Sequence, residues 1–491
     1  MKKMLVLALL GTMGLAFTMV LTGDYGEEQP VFVPASPQRS GDVAAGYKYL
    51  TTGDYIKSGI PYDYFLLGFG RTTANYLQRD SPNAVISHEY TAVKAPNGEV
   101  VVAPNCLECH AQVFDGKLYI GLGNTFIDFT DRKKLNPRGA AAAERILQRG
   151  DPQKYVAAAP FLTAMKTISG QLYTEVRGVN SADRLADLLV AHRDPQTLRW
   201  SENPVIDVSG AVIPTDTPPW WLLKKKHAMF YNGFGRGDFG RFLMASNLLT
   251  VSDSSEARAV DNHINDVLAY IYSLKPPKYP YPIDKSLARQ GGVLFLQHCS
   301  KCHGHYGDEG DYPNLLIPES LAGTDSLLYK SNYQSPQFIG WFNQSWFAQG
   351  DHPARLEPFN GYIAPPLDGI WITAPYLHNG SVPTLEGVLN SRARPAYWSR
   401  DFDHPQYDFA QVGWKYTRHE GPGKNEGPDG GARGAAKGAR PGDGVRGAAA
   451  GDGATAVYNT TIPGYGNYGH TYGDRLSERE RKAIIEYLKT L

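Results

Sequence analysis

The chain has 491 residues, with 49 lysines and arginines against 49 aspartates and glutamates, 13 histidines and only 4 cysteines. A formal charge of zero without a dense basic run argues against nucleic acid as a partner. A hydrophobic content of 42% is too high for a disordered chain and too low for a many-span membrane protein. Four cysteines cannot form a disulfide framework at this length, so their placement carries the information.

The chain opens on Met1-Lys2-Lys3 and an uncharged, mostly apolar run from Met4 to Leu21. This pattern predicts that residues 1–23 are a secretory signal, with the body of the chain exported to the periplasm or secreted. No clean Ala-x-Ala cleavage site follows, and the run is near the lower limit for a spanning helix, so an uncleaved membrane anchor stays open. The plain alternative is a buried first helix.

All four cysteines fall in two pairs of one spacing, Cys106-Leu107-Glu108-Cys109-His110 and Cys299-Ser300-Lys301-Cys302-His303. With 13 histidines in 491 positions, a histidine after both pairs has a chance probability of roughly 0.0007. In a helical turn, residues three apart share a face, so two thiols can each reach a vinyl group of one haem. The histidine that follows then brings an imidazole to the iron. This is the c-type haem attachment signature, and such attachment takes place outside the cytoplasm, in agreement with the leader. A four-cysteine zinc site would leave both histidines without a role. A thioredoxin-like pair needs a strand before it, and neither pair follows a strand pattern. Two covalently attached c-type haems are therefore expected, held by Cys106, Cys109, Cys299 and Cys302, with His110 and His303 on the irons.

Helical stretches are predicted near 140–149 and 181–192. Trp220-Trp221-Leu222-Leu223-Lys224-Lys225-Lys226 is an aromatic, basic segment whose lysines read first as solvated charge and second as a dock for an acidic redox partner. Ser254 or Ser255 opens a helix bearing Ile264, Val267, Leu268 and Ile271, ended by Lys275-Pro276-Pro277. Asp284 caps a helix leading into the second pair, and Ser477-x-x-Glu480 is a capping box for the last helix. The endings Tyr270–Lys275 and Tyr487–Leu491 look alike, which suggests two haem modules joined at Pro276–Pro282. The expected fold is mainly α, with enlarged cytochrome c-like domains at 40–275 and 283–491. The stretch 421–453, with 12 glycines and 7 alanines in 33 residues and no aromatic, is expected to be a disordered loop.

Ala374-Pro375-Tyr376-Leu377-His378-Asn379-Gly380-Ser381, followed by Thr384-Leu385, resembles the dihaem cytochrome c peroxidase superfamily. The tail from Pro463 to Gly473, with Tyr407-Asp408 and Val412-Gly413, looks most like the dihaem rubber-oxygenase branch. The resemblance is good from about Pro276 to the end and thin before it. It implies an exported oxidoreductase in which one haem passes electrons and the other meets peroxide, dioxygen or an organic substrate. The electron source is a redox partner protein or a small donor. In that branch the first haem keeps an open distal side under apolar cover, a role that Trp220, Trp221 and Phe239 would resemble.

No methionine follows Met244, so the second haem must take histidine, another group or nothing as its sixth ligand. His470, set among Gly464, Gly466, Gly469 and Gly473, is the first candidate and His378 the runner-up. For the first haem, Met165, His192, His227, Met229, Met244 and His263 all lie between the motif and its closing helix. Trp341, Trp346 and Trp371 are candidate relays between the haems, and no distal acid–base pair is evident. Two function classes follow: a peroxidase- or oxygenase-like enzyme, and an electron-transfer cytochrome with both irons six-coordinate.

Overall fold

A computed structural model describes residues 28–131, 136–208, 210, 212–307, 310–422 and 457–491. The leader at 1–23 and residues 423–453 of the Gly/Ala-rich stretch lie outside the described residues. Among the described residues no helix is long and apolar enough to cross a membrane.

The chain is about 40% helix and 13% strand, a mixed α/β protein. This corrects the mainly α expectation. The missed strands are two to five residues long, too short to show a period, and form small antiparallel sheets. One of them matters to the site. Val100–Pro104 pairs with Tyr90–Lys94, Ala92 opposite Val102, and leads directly into Cys106. The first cysteine pair does follow a strand, because Val101 and Val102 of the β-branched run Val100-Val101-Val102 are packed into the interior.

Six helices frame the two motifs: α1 (Val43–Thr52), α2 (Leu107–His110), α3 (Ser254–Ser273), α4 (Lys285–His298), α5 (Ser300–His303) and α6 (Glu478–Leu488). Asp284 caps α4 by accepting from the amides of Ser286 and Leu287, both at 2.9 Å. At α6, Ser477 and Glu480 complete their capping box, with the Ser477 amide 2.7 Å from the Glu480 carboxylate. The cap of α3 is Asp253, one residue before the serines expected.

The same contact recurs in both halves. α1 packs on α3, and α4 packs on α6. At each crossing a glycine lets the backbones touch. A Cβ on Gly46 would stand 1.9 Å from the Asp266 carbonyl oxygen, and one on Gly291 would stand 1.8 Å from that of Ala483. Neither carbonyl can yield, as both belong to helical backbone. Gly46→Ala and Gly291→Ala should each cost about 2 kcal/mol or more in thermal unfolding of the holoprotein. Gly68→Ala is the control: its added methyl meets nothing within 4 Å, so a helix position gains up to about 1 kcal/mol.

The stretches on either side of Pro276–Pro282 interleave. Gly235–Gly237 pairs with Ala354–Leu356, and Val31–Phe32 pairs with Leu315–Pro318. Trp341, Phe342 and Phe347 share one core with Phe239, Val260 and Leu268. Trp371 joins the other core through an edge contact with Phe114 at 5.9 Å.

Candidate functional site

Both cysteine motifs form the short helical turn that their spacing requires. At the first, the Asn105 side chain accepts from the Leu107 amide at 2.8 Å and donates to Thr91 and the His88 carbonyl. The carbonyls of the turn are then used one by one. That of Cys106 takes the His110 amide at 3.0 Å, and that of Cys109 takes the Asn124 amide at 2.8 Å. The Glu108 carbonyl takes the Asn124 side chain at 2.7 Å, and that of His110 takes the Gly121 amide at 2.8 Å. A four-residue helix has no carbonyl–amide ladder of its own to spare, and these neighbours replace it.

At the second motif, Cys299 ends α4 and opens α5, with the His303 amide 3.0 Å from its carbonyl oxygen. His303 Nδ1 lies 2.8 Å from the carbonyl oxygen of Pro365. A carbonyl only accepts, so Nδ1 carries the proton and Nε2 keeps its lone pair, the orientation expected of a metal-ligating imidazole. Tyr306 fixes the same turn, its hydroxyl donating to the His303 carbonyl at 3.1 Å.

His470 faces His303, with ring centres 6.2 Å apart. Two metal–imidazole bonds of about 2.0 Å in line set ring centres roughly 6 Å apart, so the pair fits one iron between them. The tail is built to hold that position. Arg394 donates to the carbonyls of Asn467, Gly469 and His470. Gly469, at φ +75°, passes so close to Gly323 that a Cβ would lie 2.3 Å from its backbone. The His470 amide donates to the Ala322 carbonyl at 3.0 Å.

His378 is also buried but otherwise engaged. Its ring stacks on Tyr362 at 4.4 Å, and its Nε2 lies 3.1 Å from the Tyr362 hydroxyl. His305, His404 and His419 are exposed and bonded or close to Asp311, Asp401 and Ser399, respectively.

Burial keeps the facing imidazoles neutral, the form that binds a metal. It lowers His110 to about 3 and His470 to about 4, and lowers His303 as well. It pushes the thiols up, Cys106 and Cys299 to about 11. A redox-active pair has the opposite shift.

A cavity of about 650 Å³ is lined by both motifs, His470 and His378. Trp220 lies flat on His110, ring centres 4.5 Å apart and planes 18° apart, so it packs beside this imidazole. Trp221 and Phe239 sit in the core, Trp221 donating to the Asp368 carbonyl at 2.8 Å. Phe230, Phe234, Phe242 and Phe342 join Trp220 in the aromatic lining. Of the six candidates for the far side of the first iron, Met229 alone lines the cavity. His192 is stacked on Trp200, His227 is bonded to the Val33 carbonyl, and His263 packs on Tyr49 at the surface.

Two carboxyls escaped the sequence reading. Asp183 and Asp187, one turn apart on the helix Ala182–Ala191, line the cavity, and burial raises them to about 6 and about 7. Their spacing was visible; that this face turns inward was not.

The candidate relays separate. Trp371 stands between the halves, bonded to the Pro277 carbonyl, whereas Trp341 and Trp346 lie beside Arg193 and Arg241. The closer link is the 3-10 helix Trp220–Lys225. It touches His110 through Trp220, and the Lys225 ammonium sits 5.0 Å over the ring of Tyr306.

Residues 361–399 match the family model described as RoxA-like, cytochrome c-like. The segment contains Pro365, His378 and Arg394, and the match links the chain to the RoxA-like cytochromes c, hence to haem and its iron. Two curated relatives are similar over part of the chain. The uncharacterized protein y4iM of Sinorhizobium fredii is 30% identical over 217 residues, 41% of this chain and 49% of that protein. The uncharacterized protein y4iJ of the same organism is 27% identical over 284 residues, 44% of this chain and 41% of that protein. The chain thus spans less than half the length of either relative.

Proposed function

We propose, from the link of residues 361–399 to the RoxA-like cytochromes c, that this chain is a dihaem c-type cytochrome oxidoreductase. The haem-binding, cytochrome-like character rests on that link. The pair of covalent haems rests on the two attachment motifs, each in a hydrogen-bonded helical turn. In this reading Cys106 and Cys109 hold the first haem, with His110 on its iron. Cys299 and Cys302 hold the second, ligated by His303 and His470. Haem supplies a redox iron that either passes electrons or, with a free coordination position, meets dioxygen or peroxide.

The observation that carries the reading is the 6.2 Å spacing of His303 and His470, against no comparable histidine among the candidates facing His110. The second haem is then the six-coordinate electron store, and the first is the reacting one. Phenylalanines keep water from its cavity, and Asp183 and Asp187 hold protons there for reduced oxygen. Export to the periplasm or beyond, with the leader cleaved or kept as an anchor, belongs to the same reading, because c-type attachment requires it.

Met229 favours a second reading, an electron-transfer cytochrome in which its thioether closes the first iron. Optical and EPR spectra with and without CO or peroxide separate the two. The enzyme reading expects one low-spin haem and one that binds CO. A sulfur-to-iron charge-transfer band, lost in Met229→Ala, with CO binding neither iron, gives the carrier instead. If turnover needs the two acids, it falls as pH rises through about 6 to 7, where they lose their protons. Asp187→Asn should then flatten that limb of the rate profile.

A further inference from the structure

The lysine run after Trp221 reads in sequence as one charged patch, yet the fold divides it. Lys224 is exposed, its ammonium 3.2 Å from the Leu274 carbonyl oxygen. Lys225 is committed to Asp368, with both carboxylate oxygens at 2.7 and 2.8 Å. Lys226 turns into the cavity that the two motifs share. Its ammonium donates to the Phe230 carbonyl at 3.2 Å. Among the described residues no carboxylate lies within ion-pair distance of it, and no other lysine or arginine lines that cavity. Burial, with Arg236 nearby, lowers it to about 8. A cation turned inward without a counter-charge is costly, and proteins keep one where an anion completes it.

Haem carries two propionate carboxylates, anions that need exactly such a partner when enclosed. We infer that Lys226 is a haem-anchoring residue, its ammonium paired with a propionate in the cavity that the two motifs share. The position supports this. The 3-10 helix Trp220–Lys225 begins on His110 and ends near Tyr306, whose hydroxyl is bonded to the His303 carbonyl, and Lys226 follows it directly and lines the same cavity. The inference rests on the dihaem reading and adds to it the charge that fixes one cofactor's acidic edge. That charge also tunes the iron. A cation close to a haem disfavours the ferric state, which carries one more positive charge, so it raises the potential.

The test uses holoprotein carrying Lys226→Gln or Lys226→Arg. Potentiometric titration and the propionate bands of the resonance Raman spectrum are the readouts. The Gln variant should lower the midpoint potential of one haem and displace its propionate band. The Arg variant, which keeps the charge, should hold the potential near wild type while moving the band. Two haems per chain with potential and band both unchanged in the Gln variant would overturn the inference and leave the dihaem reading intact. Fewer than two haems in the wild type would overturn that reading itself. Should the Gln variant fail to mature, the Arg variant decides. A displaced band supports the pairing, and an unmoved one refutes it. A change confined to the salt dependence of reduction by an acidic donor protein would assign Lys226 to docking and also refute it.

Discussion

Replacing His470 by glycine should turn the second haem from low-spin to a high-spin or ligand-accepting form while leaving the first unchanged. The effect is large because the histidine and methionine candidates among the described residues are held elsewhere. The opposing ring of His303 is fixed through Pro365, and the His470 ring stands 6.2 Å from it. Met244 is the last methionine of the chain, so no thioether from the second half can move in. His378 would first have to leave its stack on Tyr362 and give up the 3.1 Å contact of its Nε2. The low-spin EPR signal is the readout. Its survival in His470→Gly, together with its loss in His378→Gly, would exchange the two assignments. Arg394→Ala offers a milder version. It frees three carbonyls of the tail and should loosen the ligand, raising the rate of exchange with added imidazole.

Changing Cys106 and Cys109 together to alanine should remove one haem of the two and, with it, all CO binding. The low-spin signal of the second haem should persist, because its turn, its ligands and its helix pair α4 and α6 are separate from the first motif. Losing CO binding but not the low-spin signal assigns the open position to His110. Should the double variant still bind CO, the reacting iron would be the one on His303, and the roles would reverse. Partial reduction kinetics would follow the same division. With the first haem absent, the second accepts electrons but passes none to oxygen or peroxide.

What the residues disclosed, and what they hid, divides by range. Features decided within a few residues were legible: the helical turns of the two Cys-x-x-Cys-His motifs, the Asp284 cap, the Ser477–Glu480 box and the closing helices. Each rests on bonds to neighbours in sequence. The place of His470 opposite His303 is set at longer range, by the Arg394 bonds to the tail and the Ala322 carbonyl, whereas its glycine-rich surroundings alone suit a surface residue as well. The α/β character was not legible either. Strands such as Val31–Phe32 and Gly235–Gly237 exist only because distant partners complete them, Leu316 opposite Val31 and Arg355 opposite Arg236. Which aromatic residues meet the first motif was not legible on the same ground: Trp220 stacks on His110 and lines the cavity, whereas Trp221 and Phe239 pack into the core. Trp220, Trp221 and Phe239 were chosen as aromatic residues in the right region, but side-chain direction depends on the 3-10 helix and on Gly121, which bonds both His110 and Trp220. Arg394 shows the limit most clearly. Its identity signals nothing, and its hold on the tail runs through three carbonyls more than 70 residues away, while the carbonyls of Gly387 and Val388 brace the same side chain.

The central claim, two covalently held haems in one chain, meets its most direct test in the mass of the purified holoprotein measured under denaturing conditions. Thioether bonds survive unfolding, so the polypeptide should keep the mass of two haems and show no free thiol. A chain carrying four free thiols, or one recovered with zinc in place of haem, would contradict it.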